Sequence, residues 1–301
     1  MAKILDGKKL SDSLALGLAK EISAMSVLKI KPKLVIIQIG DREESNTYIK
    51  NKKLFGERIG AVVEHKKYLA DISQKKLITD IVKYNSDSSV HGIIVQLPIS
   101  AYLDTSSVIE AITPNKDVDG MTSKNIKLLF ENKENFVPAT TKGILALLDG
   151  YKINPAGMKV IIVGHSILVG KPTALAMLNR NATVTVCHSQ TKNLREETRR
   201  ADMIIVAVGH PKLITKNHVT KGQIVIDIGI NFLPQNIKIS QKGKIGAVLV
   251  SNLVPKKIVG DVDFENVKNI VRAITPVPGG VGPMTIVSLF QNLISACRNQ
   301  N

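Results

Sequence analysis

The chain has 301 residues, of which 44% are apolar, so it can bury a sizeable core in each of two domains. Its amino-terminal residues lack the apolar stretch of a signal peptide, and nowhere do about 18 apolar residues follow one another without a charge, which argues against a membrane protein. The two cysteines, Cys187 and Cys297, show no Cys-x-x-Cys spacing. We therefore expect no disulfide framework, no metal site and a reducing, cytoplasmic compartment.

The formal net charge of +16 raises the alternative of a nucleic-acid-binding protein, because clustered Lys and Arg neutralise phosphates. The lysines, however, fall in twos and threes along the chain, and only 4% of the residues are aromatic, which leaves little for base stacking. We therefore expect a solvated basic surface and no nucleic-acid partner. Such a surface also attracts a small polyanionic substrate and a dinucleotide.

The predicted elements alternate between helices and strands along the chain. An apolar helical repeat comes first, and a similar stripe lies near the carboxyl terminus. Between them lie five short apolar runs, which are typical of strands buried on both faces of a parallel sheet. The first repeat is Leu10, Leu14, Leu18 and Ile22, the runs are 34–37, 93–95, 160–163, 203–206 and 224–226, and the last stripe is Ile286, Phe290, Leu293 and Cys297. This alternation predicts an α/β protein with right-handed crossovers.

The pattern predicts two domains. Residues 139–273 contain four strand-like runs and a glycine turn, which predict a dinucleotide-binding domain with a Rossmann-like parallel sheet and helices on both faces. Residues 1–138 have strands and helices of their own and predict a second α/β domain. The last segment, 274–301, holds one helix that cannot form a domain alone. We expect it to pack back on the first domain.

Ser45, Tyr48 and Lys52 follow the first predicted strand. If this segment is helical, offsets of three and seven residues place the three side chains on one face, at the carboxyl end of the strand. A hydroxyl, a phenol and an amine would then converge. Taken alone, Lys52 has the alternative interpretation of a surface charge on a lysine-rich helix.

Polar residues also follow the strand at 93–95. Gln96 comes directly after it, and Asp117 and Asp119 lie two residues apart in a later loop. Paired aspartates can bind a cation or take part in acid–base chemistry. Because loop aspartates more often cap turns and helices, both interpretations stay open at this point.

A buried strand, a glycine turn and a helix start follow one another around Gly164 and Gly170. The pyrophosphate of a dinucleotide binds at such a turn, because backbone N–H groups can approach it and the helix N-terminus favours anions. The spacing is not G-x-G-x-x-G, so an ordinary structural turn is the alternative. Gly209 and Ile230 follow two further strands, at the sheet edge where ligands bind in such folds.

The second strand of this domain ends at Cys187 and is followed by His188, Ser189 and Lys192. An NAD-selective site commonly has Asp or Glu there, about 20 residues beyond the turn, to bind the ribose 2′-hydroxyl. Neither is present, and the side chains found here could accommodate a 2′-phosphate, which favours NADP. An ordinary polar strand end is the alternative for His188 and Ser189.

The segment 275–285 is the most unusual in the chain, with three prolines and three glycines. Proline stiffens the backbone, and glycines such as Gly279 and Gly280 remove side chains where a ligand approaches closely. A merely tight connection needs far less. We therefore expect this loop to take part in binding.

Together, these segments closely resemble the methylenetetrahydrofolate dehydrogenase/cyclohydrolase family over residues 45–285. The most specific pieces are Pro-Val-Pro-Gly-Gly-Val-Gly-Pro-Met-Thr at 276–285, the Ser45/Tyr48/Lys52 helix, Val-Gln-Leu-Pro at 95–98 and Lys-Asp-Val-Asp-Gly at 116–120. The resemblance implies two domains flanking a cleft, usually in a homodimer, with tetrahydrofolate derivatives as partners. It implies oxidation of 5,10-methylenetetrahydrofolate and hydrolysis of the methenyl product to 10-formyltetrahydrofolate, in one-carbon metabolism.

The resemblance also implies roles for residues of the cleft. Lys52 is expected to handle the proton in the hydrolysis, Gln96 to hydrogen-bond and tune Lys52, and Tyr48 to orient the folate. Asp119 would anchor the pterin, since a carboxylate matches two adjacent N–H donors on that ring. The other residues predicted to bind substrate are Ser45, Pro278, Gly279 and Gly280.

The dinucleotide positions follow from the resemblance and from the strand ends described above. They are Gly164, His165, Ser166, Gly170, His188, Ser189, Gly209 and Ile230. Where relatives often carry Arg, this chain has His165, a weaker and pH-dependent cation, so NADP is the expected cofactor and NAD is the alternative. A dehydrogenase that uses NAD and has lost the hydrolysis is the rival function, although the retention of Lys52, Tyr48 and Gln96 argues against it.

Overall fold

The computed structural model describes residues 1–133, 135–234 and 256–300. The strands are β1 (Lys3–Ile4), β2 (Lys33–Ile39), β3 (Val62–Tyr68), β4 (Gly92–Val95), β5 (Lys159–Val163), β6 (Thr183–Cys187), β7 (Met203–Val206), β8 (Ile224–Asp227), β9 (Asn231–Pro234), β10 (Lys256–Val259) and β11 (Ala273–Ile274). The helices are α1 (Gly7–Val27), α2 (Glu43–Ile59), α3 (Gln74–Ser86), α4 (Thr105–Glu110), α5 (Ser123–Phe130), α6 (Ala139–Gly150), α7 (Gly170–Asn179), α8 (Leu194–Arg199), α9 (Phe264–Val267) and α10 (Val281–Gln300), with a 3₁₀ helix at Lys216–His218. Within these ranges, no helix combines the length and the apolarity needed to cross a lipid bilayer.

The larger sheet has six parallel strands in the order β1-β11-β8-β7-β5-β6. Alternate side chains of its central strands enter two separate apolar clusters, with Ile162 and Ile205 in one and Ile161 and Ile204 in the other. Burial on both faces explains why these strands appear in the sequence as continuous apolar runs. The predicted Rossmann-like parallel sheet between helices is confirmed.

The smaller sheet has three parallel strands in the order β3-β2-β4. Its central strand is again buried on both faces: Leu34 and Ile36 belong to one cluster, and Val35 and Ile37 to another. Strands β9 and β10 form a separate antiparallel pair. Helix α2, which carries Ser45, Tyr48 and Lys52, begins shortly after β2 ends, and Gln96 directly follows β4.

Helix α10 packs against α1, α2 and α6 and also contacts β2 and β4. Phe290 and Leu293, from the predicted apolar stripe, are fully buried. The last helix therefore contacts elements on both sides of the predicted boundary at residue 138, since α1, α2, β2 and β4 precede that residue and α6 follows it.

Strand β1 lies at the edge of the larger sheet, where Lys3 and Ile4 pair with Ala273 and Ile274. Strand β1 thus belongs to the larger sheet, whereas α1, which follows it, packs against α2 and α10. The sequence pattern does not predict this change of side. The division into 1–138 plus 274–301 and 139–273 stays a prediction. Residues 235–255 of the second range lie outside the described part of the chain.

Candidate active site

One face of α2 borders a cavity of about 370 Å³. The helix begins shortly after β2 ends, so its first turns lie at the carboxyl end of the smaller sheet. Ser45, Tyr48 and Lys52 all line the cavity, in keeping with offsets of three and seven residues on a helix. Ser45 is buried and the other two are half-buried. Their side chains therefore meet a confined space rather than open solvent.

The cavity lies between the two sheets. Gln96 and Asp119 line it from the side of the smaller sheet, and Leu168 and Ile230 line it from the carboxyl edge of the larger sheet. Thr285, near the start of α10, contributes a further part of the wall. The cleft between two domains that the resemblance implied is present.

The Lys52 amine is held by a side-chain amide. Its Nζ donates a hydrogen bond of 2.9 Å to Oε1 of Gln96, and Nε2 of that amide donates to the Leu97 carbonyl at 3.0 Å. The second bond orients the amide so that its oxygen faces the lysine. Burial lowers the pKa of Lys52, and the negative charge of Asp119 partly opposes this effect. An amine whose neutral form is favoured in this way can accept a proton from a reacting group.

The two aspartates of the loop at 116–120 have different surroundings. Asp117 is buried and accepts hydrogen bonds from the N–H of Thr122 at 2.7 Å and from Nδ2 of Asn125 at 2.9 Å. Asp119 lines the cavity, and burial raises the pKa of its carboxyl while Lys52 acts in the opposite direction. Asp117 therefore fixes the start of α5, and Asp119 is the one that faces the cavity.

The Pro-Gly loop borders a second cavity of about 330 Å³, which Pro278, Gly279 and Gly280 line. Tyr48 and Ile230 border both cavities, so the two spaces adjoin. Gly279 has a φ of 105°, which favours glycine. A Cβ on Gly280 would lie 2.5 Å from a backbone oxygen of the same loop. The structure thus places these three residues in the adjoining space and not around Lys52.

Gly164 and Gly170 bound a tight turn between β5 and α7. Gly164 has a φ of 120°, and a Cβ there would lie 2.2 Å from the carbonyl oxygen of Ala207. A Cβ on Gly170 would lie 2.1 Å from the carbonyl oxygen of Gly164. The Ser166 hydroxyl accepts from the N–H groups of Val169 and Gly170 at 3.2 and 3.4 Å. The glycines are thus needed for packing, and they bring the start of α7 to the sheet edge, where an anion is favoured.

Two imidazoles lie beside this turn. The ring centroids of His165 and His188 are 4.9 Å apart, and both side chains are exposed, as is Ser189. The Gln190 N–H donates to Nδ1 of His188 at 3.2 Å, so a neutral His188 carries its proton on Nε2. These side chains therefore offer hydrogen-bond donors to an anion at the end of β6.

Gly209 and Ile230 complete the row of predicted dinucleotide positions. Gly209 is exposed, with open space where a Cβ would stand, and Ile230 borders both cavities. The eight positions follow the ends of β5, β6, β7 and β8. The carboxyl edge of the larger sheet therefore carries a turn that favours anions, exposed hydrogen-bond donors and a glycine with no neighbouring side chain. These features fit a bound dinucleotide.

Four residues that line the first cavity are not indicated by the sequence pattern. Leu168 and Val169 lie between the two glycines of the turn and line the first cavity. Thr140 and Thr285 also line it, with their hydroxyl oxygens 3.5 Å apart. Both threonines lie near the start of a helix, and this position is the only indication that the sequence offers for them. That α6 and α10 converge at the cavity is visible only in the fold.

Family models, curated relatives and solved structures all relate this chain to the same family of folate enzymes. Residues 5–119 match the catalytic domain and residues 138–301 the NAD(P)-binding domain of tetrahydrofolate dehydrogenase/cyclohydrolase. The bifunctional protein FolD of Nautilia profundicola is 40% identical over 296 residues, which span 98% of this chain and 97% of that protein. A crystal structure of the bifunctional FolD enzyme from Campylobacter jejuni is 38% identical, covers 100% of both chains and has a TM-score of 0.90. The Trypanosoma brucei FolD structure, complexed with NADP cofactor and inhibitor, is 28% identical, covers 99% of this chain and 98% of that one, and also has a TM-score of 0.90.

Proposed function

Because this chain belongs to the tetrahydrofolate dehydrogenase/cyclohydrolase family, we propose that the cavity lined by Lys52, Gln96 and Asp119 is its folate site. The enzyme is bifunctional. It oxidises 5,10-methylenetetrahydrofolate to 5,10-methenyltetrahydrofolate with NADP and hydrolyses that product to 10-formyltetrahydrofolate. The observation that carries the site assignment is the Lys52 amine, held 2.9 Å from Gln96 inside that cavity.

In the hydrolysis, Lys52 is the proposed proton carrier. Water adds to the cationic methenyl carbon and transfers a proton to the neutral amine, whose pKa is lowered by burial. The bond from that carbon to N5 of the folate then breaks as Lys52 returns the proton to N5. The remaining hydroxyl loses its proton to solvent as the formyl group forms on N10, so the hydrolysis releases one proton overall. Gln96 holds the amine through both transfers without adding a charge.

Asp119 is the proposed anchor of the pterin ring. A carboxylate on the cavity wall can accept two adjacent N–H donors, and such charge-assisted bonds are among the stronger ones in proteins. Tyr48 and Ser45 lie on the same helical face as Lys52 and would orient the ring against the amine. Pro278, Gly279 and Gly280 line the adjoining cavity and would contact the part of the ligand that extends beyond Tyr48.

The carboxyl edge of the larger sheet is the proposed NADP site. When bound, NADP accepts a hydride from the bridging methylene of the folate. Because this step needs little proton chemistry, the contribution of the chain is mainly to orient the two ligands. The pyrophosphate is assigned to the turn at Gly164, Ser166 and Gly170, and the 2′-phosphate to the end of β6. His188 and Ser189 lie at that end, and His165, whose ring centroid is 4.9 Å from that of His188, is assigned to the same phosphate. Gly209 and Ile230 lie along the rest of the edge.

A homodimer and a cytoplasmic location complete the proposal. The homodimer rests on the resemblance to the family, and the location rests on the cysteine content. Gel filtration with light scattering would test the dimer, and a mass equal to one chain of 32.7 kDa would contradict it.

Two spectroscopic assays test the function. With methylenetetrahydrofolate and NADP, absorbance should grow in the reduced-nicotinamide band, and added methenyltetrahydrofolate should disappear without any dinucleotide. Loss of methenyltetrahydrofolate at the uncatalysed rate, with normal dehydrogenase activity, would favour the dehydrogenase-only rival. A salt-dependent gel shift with nucleic acid, with neither activity present, would favour the rival based on charge.

A further inference from the structure

Two carboxylates are buried at the carboxyl edge of the larger sheet. Asp227 is 2% exposed and Asp261 is 0% exposed. Burying a carboxylate is costly unless hydrogen-bond donors replace the water it loses. The donors around each one therefore indicate what it does.

Asp261 accepts hydrogen bonds from the loop that follows β7 and from the first residue of β9. Its Oδ2 accepts the N–H groups of Val208 and Gly209 at 2.7 and 2.9 Å, and its Oδ1 accepts Nδ2 of Asn231 at 2.9 Å. That loop carries Gly209, and Asn231 directly follows Ile230 in the loop between β8 and β9. One carboxylate thus joins the two loops that carry Gly209 and Ile230.

Asp227 fixes Asp261 in turn. Its Oδ1 accepts the N–H groups of Gly229 and Asp261 at 2.9 and 3.0 Å, and its Oδ2 accepts the N–H of Val262 at 2.9 Å. All three donors are backbone groups, so the position of Asp261 is set by the end of β8 itself.

Two glycines make room for this arrangement. A Cβ on Gly229 would lie 2.1 Å from Cγ of Asp261, and a Cβ on Gly260 would lie 1.9 Å from Oδ2 of Asp227. No side chain fits at such distances, because protein interiors are close-packed. Gly229 and Gly260 are therefore needed beside the two carboxylates, because any larger residue would displace Asp261 or Asp227.

We propose that Asp261 is a positioning residue for the dinucleotide, because it sets the separation of the Gly209 and Ile230 loops. Its carboxylate acts through those loops and does not contact the folate side of the cleft. This inference rests on the proposed NADP site. The Ile230 loop also borders the cavity of Lys52, but Lys52, Gln96 and Asp119 belong to other elements, so hydrolysis of methenyltetrahydrofolate should depend on Asp261 far less than the KM for NADP does.

The test compares the KM for NADP with the rate of methenyltetrahydrofolate hydrolysis in the same variant. Asp261→Asn keeps the shape of the side chain but places an NH₂ group against N–H donors, so KM for NADP should rise about tenfold or more. Hydrolysis measured directly on methenyltetrahydrofolate, without dinucleotide, should stay within about twofold of wild type. The matched control is Asp202→Asn, because Asp202 accepts the Lys159 N–H at 2.8 Å at the opposite edge of the same sheet. That variant should keep the KM for NADP unchanged.

An unchanged KM for NADP in Asp261→Asn, or equal losses in both activities, would overturn the inference. If Asp261→Asn does not fold, Asn231→Ala serves instead, because it removes only one of the three donors. It should raise the KM for NADP a few-fold with hydrolysis intact, and a uniform loss would again refute the role. Failure of the wild-type protein to oxidise methylenetetrahydrofolate would refute the proposed function itself, whatever the variants do.

Discussion

The Lys52 amine donates to a neutral amide oxygen, Oε1 of Gln96 at 2.9 Å. A carboxylate at this position would favour the ammonium form, whereas an amide accepts the hydrogen bond without adding charge. Gln96 thus holds the amine in place while burial keeps the pKa of Lys52 lowered. The proton-accepting capacity of Lys52 depends on this neutrality.

Lys52→Met should separate the two reactions. The substitution keeps much of the length and the apolar stem but removes the amine, so hydrolysis should fall by about a hundredfold to ten-thousandfold. Hydride transfer should lose less, and methenyltetrahydrofolate should accumulate while reduced cofactor still forms. Lys50→Met, an exposed change on the same helix, is the control. Equal losses in both activities would mean that Lys52 only positions the substrate.

Gln96→Glu should move the pH dependence of hydrolysis. In wild type, the rate should rise with pH as Lys52 loses its proton, at an apparent pKa below the ordinary value of 10.5. A glutamate beside the amine would favour its protonated form and raise that pKa, so the rising limb should shift to higher pH. The pH profile of kcat for methenyltetrahydrofolate hydrolysis gives the measurement. A limb that stays in place would argue that another group titrates.

Asp119→Ala should weaken folate binding in both activities. The pterin would lose a charge-assisted partner worth about 1.5–3 kcal/mol, which corresponds to roughly a ten- to hundredfold rise in KM for each folate substrate. The KM for NADP should change little. Asp71→Ala, at an exposed position in the same half, controls for the loss of a negative charge. Wild-type rates at subsaturating folate would show that the anchor lies elsewhere.

His165→Arg should shift the cofactor preference towards NADP. A guanidinium is permanently charged and can bind a 2′-phosphate through two parallel hydrogen bonds, whereas an imidazole is a weaker cation near neutral pH. The quantity to measure is the ratio of kcat/KM for NADP to that for NAD. His165→Gln provides the opposite comparison, and its ratio should not increase. If the ratio is the same in all three proteins, residue 165 does not face the phosphate.

Much of the fold could be predicted because the central strands are buried on both faces. The run at 203–206 coincides with β7, and the run at 160–163 lies within β5. Strand β3 was missed because it is an edge strand whose side chains include Glu64, Lys66 and Lys67, and such a strand leaves no apolar run. The two-residue strands β1 and β11 are too short to give a periodic signal.

The candidate site was predictable only in part, for a different reason. Helical spacing alone placed Tyr48 and Lys52 on one face. Spacing does not distinguish Asp117 from Asp119, because the difference between them comes from Thr122 and Asn125, which are donors supplied by the next helix. The composition of the loop that contains Pro278 predicts a role in binding. It does not reveal that this loop borders the adjoining cavity and not the cavity of Lys52.

The position of β1 limits how this enzyme can be divided. A fragment of residues 139–273 would lack β1 and one of the two residues of β11, so β8 would become an open apolar edge. Open edges of this kind pair with other molecules and promote aggregation. A chimera that borrows the dinucleotide half of a relative should therefore also exchange the first few residues of the chain, since the cofactor half is not a contiguous cassette.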